Sequence, residues 1–258
     1  MKHWTYIFLL AIISCNNQPK KVDGSNTVVS ARPAALTGSN SEICWTGTIN
    51  GKTPVFIHYK LDSNLIIGEI TYLNTKDKLP IRLLGTIEED KNFRLLEFAK
   101  SGNITGIITG SPSGNIFNGS WFSPKTRKEL VLDLVKKDTV INPGITDAKL
   151  QDVFGHYHYQ YSEAGYQGDI DITRLPNSKA SFNIFSVTGE PARNLAQIDE
   201  DTITLNTPQF IYKMPETDSC EFSVKFYKGF VYIKYTKGYC DGQFGMNATI
   251  DGIFLKTE

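Results

Sequence analysis

The sequence predicts an all-β protein made of two small antiparallel meander barrels in tandem, each with about eight strands. The first observation is a five-residue pattern, apolar–any–Gly–any–apolar, which recurs at 45–49, 66–70, 83–87, 104–108, 117–121, 153–157, 166–170 and 250–254. Because side chains alternate between the faces of a strand, each glycine shares a face with its two apolar neighbours. Such glycines indicate close backbone approach or a tight bend, which a strongly curved sheet requires.

Composition is the second observation. Aromatic residues make up 12% of the chain and there are 21 glycines, which suits strands better than helices. The 27 basic and 27 acidic residues cancel, and a balanced charge argues against nucleic acid as a partner.

The third observation is the regular spacing of turn signals. In the first half, polar segments separate eight apolar or alternating runs, at 43–49, 55–61, 66–72, 81–87, 93–98, 104–110, 116–122 and 130–134. Short connections favour antiparallel neighbours, and eight meandering strands commonly close into a barrel that has no free edge. We therefore expect the first barrel over residues 42–137.

A charged segment followed by Pro-Gly predicts a linker over residues 138–151 and a second barrel over 152–258. After a start at Gly155, strand-like runs lie at 165–174, 179–187, 195–199, 202–206, 209–214, 219–227, 230–236 and 247–255. Turns are expected between these runs, including one at Glu200-Asp201 and one at Lys228-Gly229.

The N-terminal residues 1–15 have the character of a targeting signal, with Lys2 followed by an apolar run that is too short to span a bilayer as a helix. The run ends in Ile12-Ile13-Ser14-Cys15, which resembles the bacterial lipobox. That resemblance implies lipid attachment at Cys15 and anchoring to a bacterial membrane, with the outer membrane favoured. The alternative is an ordinary secretory signal with a chance cysteine. Polar residues 16–41 predict a flexible tether.

Residues 42–137 resemble a lipocalin-like domain of unknown function from bacterial envelope proteins. The resemblance is carried by the segments Trp45 to Ile49, Pro54 to Ile57, Gly68 to Tyr72, Leu79 to Ile87, Leu95 to Glu97, Thr105-Gly106 and Phe117 to Trp121. These motifs are structural, so they imply a fold and leave the activity open.

The C-terminal part resembles the end of another small envelope domain of unknown function, through Cys220, Cys240, Phe244-Gly245 and Gly252-x-Phe254. A hairpin about Lys228-Gly229 would bring Cys220 near Cys240, so a disulfide is expected in an exported protein. The alternative is two buried free thiols. Cys44, beside Trp45 at the start of a strand, is expected to be a buried thiol.

The sequence contains no catalytic motif, and we expect neither an enzyme nor a cofactor. His156 and His158 share one strand face and are weak metal candidates, because no third ligand is evident nearby. Their expected role is that of solvated surface residues, with the tyrosines of the opposite face in the core. Glu69 and Glu97 are expected at solvent-facing strand positions.

The leading functional hypothesis is a non-enzymatic binding or interaction module, held at the membrane by its lipid. One alternative is a proteinaceous inhibitor of a hydrolase such as lysozyme, inserting a loop such as 111–115 or 237–244 into the enzyme. The other is a carrier of a small apolar ligand, since barrels of this size can be filled by their own side chains or hold one ligand. Filled cores are favoured.

Overall fold

The computed structural model describes residues 42–141, 144, 146–215 and 217–257. The predicted signal segment 1–15, with Cys15, and the tether 16–41 lie outside the described residues. The described residues belong to one compact unit and form sixteen β-strands, which confirms the all-β prediction. Among them, no helix is both long and apolar enough to cross a membrane.

The first eight strands form a closed antiparallel barrel in which every strand pairs with the next along the chain and β8 pairs back onto β1. The strands are β1 (Ile43–Ile49), β2 (Thr53–Asp62), β3 (Leu65–Tyr72), β4 (Ile81–Ile87), β5 (Phe93–Phe98), β6 (Ile104–Ser113), β7 (Ile116–Ser123) and β8 (Lys128–Lys137). All eight match the predicted runs to within a few residues at each end.

The glycine pattern has the predicted physical cause in this barrel. A Cβ atom at Gly47 would collide with the backbone of β8, with the Cα of Leu134 only 2.8 Å away. A Cβ at Gly85 would lie 2.7 Å from the Cα of Leu95 on β5. The strands approach each other more closely there than any side chain permits, so the sheet curves tightly enough to close.

The remaining strands form a second antiparallel sheet in the order β12-β11-β10-β9-β16-β15-β14-β13. They are β9 (Gly155–Gln160), β10 (Gln167–Leu175), β11 (Lys179–Val187), β12 (Leu195–Thr204), β13 (Gln209–Lys213), β14 (Glu221–Tyr227), β15 (Phe230–Lys237) and β16 (Gly252–Lys256). As in the first barrel, the first and last strands pair. The sheet is a curled half-barrel, however, because β12 and β13 form no ladder with each other.

Two strand boundaries in this half were predicted wrongly. The runs 195–199 and 202–206 form one strand, and the expected turn at Glu200-Asp201 lies inside it. The register shifts between the pairs Phe182–Asp201 and Ile184–Ile198, so β12 carries an extra residue at Asp199-Glu200 and bulges without ending. The final strand begins at Gly252, five residues later than predicted.

Side chains cover the gap between β12 and β13. The Tyr212 hydroxyl donates a hydrogen bond of 2.7 Å to Asp201, and the rings of Phe182 and Phe210 pack edge to face with centroids 5.2 Å apart. Hydrophobic packing therefore continues across the opening where backbone pairing does not.

The barrel and the half-barrel share an apolar core. One buried cluster contains inward residues of the second sheet together with outward residues of the barrel, namely Leu65, Ile67, Leu84, Leu96, Phe98, Ile104 and Ile107. The barrel interior has a separate cluster that includes Trp45, Tyr59 and Phe117. Strands β3 to β6 are thus buried on both faces, and the two halves pack as one body.

Polar contacts lie at the edge of this junction. Asp62, at the end of β2, accepts a hydrogen bond of 2.8 Å from Lys225 and one of 2.6 Å from the Tyr227 hydroxyl on β14. Asn64 donates to the Tyr232 hydroxyl across 3.4 Å.

Candidate functional site

A cleft of about 680 Å³ opens between the outer surface of the first barrel and the second sheet. Six of the residues lining it are tyrosines: Tyr159, Tyr161, Tyr166, Tyr232, Tyr235 and Tyr239. The barrel contributes Thr86 on β4, Arg94 on β5 and Phe122 on β7 to the facing wall. This volume falls within the range of about 300–1,000 Å³ that is usual for small-molecule sites.

Hydrogen bonds to the hydroxyls of Tyr232 and Tyr235 hold these two rings on the second-sheet side of the cleft. Tyr235 shares a hydrogen bond of 2.8 Å with Thr249 and accepts another of 3.1 Å from the backbone N–H of Ile250. Burial raises the pKa of the Tyr235 and Tyr232 hydroxyls, so both stay neutral at physiological pH. This part of the wall therefore presents two oriented aromatic faces with neutral polar tips.

Arg94 joins the two walls. Its guanidinium donates a hydrogen bond of 3.3 Å to the Tyr161 hydroxyl and lies 5.9 Å from the centre of that ring. Arg127 and Lys234 also line the cleft, as do the carboxylates Glu88 and Asp251. The cleft thus offers flat apolar surfaces together with charges of both signs.

The arrangement has the features of a ligand-binding surface. Aromatic faces pack on the flat apolar parts of a ligand, and the hydroxyls and charged groups at their edges fix its orientation.

The interior of the first barrel is filled by its own side chains, as the sequence analysis favoured. The rings of Trp45 and Phe117 pack edge to face with centroids 6.0 Å apart, and Phe93 contacts both Phe117 and Tyr59 in the same manner. An apolar ligand inside this barrel would have to displace these rings, so the candidate binding space lies outside it.

Glu97 was predicted to face solvent, and this is wrong. Its carboxyl is buried inside the barrel with only 1% of the residue exposed. It accepts hydrogen bonds from the Tyr72 hydroxyl at 2.8 Å and from the Trp121 indole at 2.7 Å. Desolvation raises its pKa, and the hydrogen bonds only partly oppose this. Glu69 remains on the barrel surface, 3.7 Å from His58.

The three cysteines that the structure describes lie as predicted. Cys220 and Cys240 form a disulfide, which closes the segment that includes β14, the hairpin turn and β15. Cys44 is a buried free thiol, and burial raises its pKa.

The two loops considered for an inhibitor role differ in the structure. Ser111 to Ser113 continue β6 and pair with β7, so segment 111–115 is a short hairpin tip without a long insertion loop. Segment 237–244 contains Cys240, one end of the disulfide, and presents Tyr239, which is 71% exposed and lines the cleft.

His156 and His158 share one face of β9, as predicted, and the tyrosines of the opposite face, Tyr157 and Tyr159, are buried. The histidines are half-buried and lie opposite Asp171 and Asp169 on β10. No third ligand for this pair is evident in the sequence, whereas the structure places two carboxylates beside it. The signal was the alternation Asp169-x-Asp171, whose register against β9 the sequence did not reveal.

Comparisons with known protein families, with curated proteins and with solved structures find no match to this chain.

Proposed function

We propose that the protein is a cell-envelope lipoprotein, anchored to a bacterial membrane through Cys15, that acts as a non-enzymatic binding module. Its ligand occupies the tyrosine-lined cleft between the two halves. The lipobox-like segment at residues 12–15 and the disulfide support an exported, anchored protein. The cleft is the single observation that carries the binding role.

The shape of the cleft favours a small molecule of mixed polarity. Six tyrosines present apolar ring faces and polar hydroxyls in a concave space of about 680 Å³. Tyr232 and Tyr235 are oriented by partners within the fold, so little side-chain entropy is lost when a ligand binds. A ligand with flat apolar faces and hydroxyl or amide edges matches this surface.

Native mass spectrometry of the chain from residue 16 onward, purified from its own host, tests the proposal. We expect a discrete excess mass that organic solvent releases. The bare polypeptide mass, lower by two hydrogens for the disulfide, contradicts a resident ligand in the cleft. If the bare chain instead copurifies in stoichiometric amount with a hydrolase that it inhibits, the inhibitor role replaces the proposal.

A further inference from the structure

The strongest unassigned cluster of side chains lies on the outer face of strands β9 and β10. His158 lies directly opposite Asp169 in the antiparallel ladder, and His156 lies opposite Asp171. The two imidazole rings are nearly parallel, with centroids 6.3 Å apart and planes 18° apart. Ligand atoms of His156, His158 and Asp169 all lie within 4.8 Å of one another.

Asp171 fixes one histidine in the tautomer that a metal requires. The Nδ1 atom of His156 lies 2.8 Å from Asp171 Oδ1. When the neutral imidazole donates its Nδ1–H to this carboxylate, its Nε2 atom carries the free lone pair. A carboxylate that orients a histidine ligand from behind is the usual support of zinc-binding imidazoles.

In this tautomer the lone pair of His156 Nε2 faces the carboxylate oxygen Asp169 Oδ1, and neither atom carries a proton. Nε2 lies 3.3 Å from Asp169 Oδ1. Two acceptors facing each other at this distance repel unless a positive charge lies between them. Two ligands at about 2.0–2.1 Å from a tetrahedral ion are themselves about 3.3–3.4 Å apart, so the spacing suits a shared metal.

His158 completes a set of three ligands. Its Nδ1 atom lies 2.6 Å from the same oxygen, Asp169 Oδ1, which is a hydrogen-bond distance. When a metal binds, it replaces the proton shared by these two atoms, and they move slightly apart. The loop between β5 and β6 packs closely against the His158 ring and confines it. Gly102 in this loop is so near that an added Cβ would lie only 2.9 Å from His158 Cδ2. The side chains of His156 and Asp169 are 32% and 31% exposed, so an ion can enter from solvent.

We propose that His156 Nε2, His158 Nδ1 and Asp169 Oδ1 bind a divalent transition-metal ion of the zinc type, with Asp171 positioning His156. Two imidazoles and one carboxylate suit zinc and disfavour calcium and magnesium, which take oxygen ligands. Three protein ligands leave the fourth tetrahedral position for water or a donor from another molecule. This site is separate from the proposed function in the cleft, and neither depends on the other.

Calorimetric titration of the chain from residue 16, produced without a polyhistidine tag, with Zn²⁺ alone tests this site. We expect one ion per chain, and affinity at least about 100-fold weaker in the H156N/H158N variant than in the wild type. The D171N variant keeps all three ligands, and we expect its affinity for Zn²⁺ to be about 10–100-fold weaker than that of the wild type. The matched control is H58N, which removes a histidine that is also flanked by carboxylates, Glu42 and Glu69, but has no second imidazole.

Co²⁺ provides a second readout that does not depend on folding stability. Substituted into the wild type, it should give the visible absorption of a four-coordinate ion, and D171N should shift or weaken that spectrum while remaining folded. The proposal is overturned if the wild type shows no saturable one-to-one binding, which would make the cluster a protonated His–Asp ion-pair network. It is also overturned if H156N/H158N binds as tightly as H58N.

Discussion

Glu97 accepts a hydrogen bond of 2.7 Å from the indole Nε1 of Trp121 inside the closed barrel. Both residues belong to motifs that the sequence presents as ordinary strand positions, Leu95-x-Glu97 and Phe117-x-Gly119-x-Trp121. Gly106 makes this contact possible, because a Cβ there would lie 2.7 Å from the Glu97 carboxyl carbon. The barrel therefore encloses one acidic group among neutral donors.

The first prediction concerns the variant E97Q. Because burial raises the pKa of Glu97 in the folded state, the group contributes stability that is fully present below its unfolded pKa of about 4.3 and is lost as pH rises through the folded pKa. Glutamine keeps the shape and an acceptor oxygen but has no charge to desolvate. We expect E97Q to match the wild type near pH 4 and to be more stable at pH 8.

Urea denaturation across this pH range measures the effect. Each unit by which the pKa of Glu97 is raised corresponds to about 1.4 kcal/mol of unfolding free energy that the wild type loses once the carboxyl is ionised. E69Q is the control, since Glu69 lies on the barrel surface, and its stability should follow the wild type at both pH values. A constant difference between E97Q and the wild type from pH 4 to pH 8 would show that the carboxyl does not change its protonation there.

The second prediction concerns the edge of the junction. The hydrogen bonds from Lys225 and then Tyr227 lower the pKa of Asp62, so its contribution is present above the unfolded pKa of about 3.9 and is lost as pH falls through the folded value. The side chains of Asp62 and Lys225 are 39% and 43% exposed, so solvent screening keeps their ion pair weak.

We expect D62N to lose about 0.5–1 kcal/mol at pH 7 and progressively less as pH falls below 4, as measured by chemical denaturation. The control is D218N, which removes the partner of Lys213 in a pair whose Asp218 side chain is 91% exposed. That variant should unfold like the wild type. An equal loss of stability in D218N and D62N would show that the location of the Asp62–Lys225 pair at the junction does not add to its contribution.

The third prediction tests why the barrel closes. In G47A the added methyl group collides with the carbonyl oxygen of Asp133 and the Cα of Leu134 on β8. Both are backbone atoms, so no flexible side chain can move aside. We expect a destabilisation of at least about 1–3 kcal/mol by thermal or chemical unfolding. G144A, with nothing within 4 Å of its added Cβ, should be neutral or slightly stabilising. If G47A is neutral, close strand approach is not what the glycine pattern provides.

The fourth prediction concerns the disulfide. Cys220 and Cys240 are 20 residues apart in sequence, and the chain-entropy model gives about 3 kcal/mol for a loop of that size. We expect C220A/C240A to lose about this much free energy of unfolding. C44A removes a buried thiol without a cross-link and is the control for deleting sulfur. Equal losses in the two variants would assign the effect to packing alone.

Local patterns predicted most of the fold. Alternation and turn residues located all eight strands of the first barrel, and the hairpin about Lys228-Gly229 correctly placed Cys220 beside Cys240. The opening between β12 and β13 was not predicted, because a connection as short as the one between these consecutive strands ordinarily gives an antiparallel pair, and here it does not. The packing of the two halves was missed, although the uninterrupted run Leu65-Ile66-Ile67 was a signal, since a strand that is apolar on both faces is buried on both.

The cleft could not be predicted because it has no motif of its own. Its tyrosines come from separate segments of the second half, and Arg94 comes from the first. Only the packing of the halves brings them together. The partners of His156 and His158 were missed for a related reason, since the register across the connection between β9 and β10 was not fixed by a recognisable turn.

The central claim is that the cleft holds a ligand, and a matched pair of threonine variants tests it most directly. Thr86 lines the cleft on β4, whereas Thr48 faces outward on β1 and does not line it. T86W fills the space, and T48W adds the same ring elsewhere on the same barrel. By native mass spectrometry of each variant from the host, we expect the excess mass to be lost from T86W and kept by T48W. Retention of the bound mass by folded T86W would contradict the account.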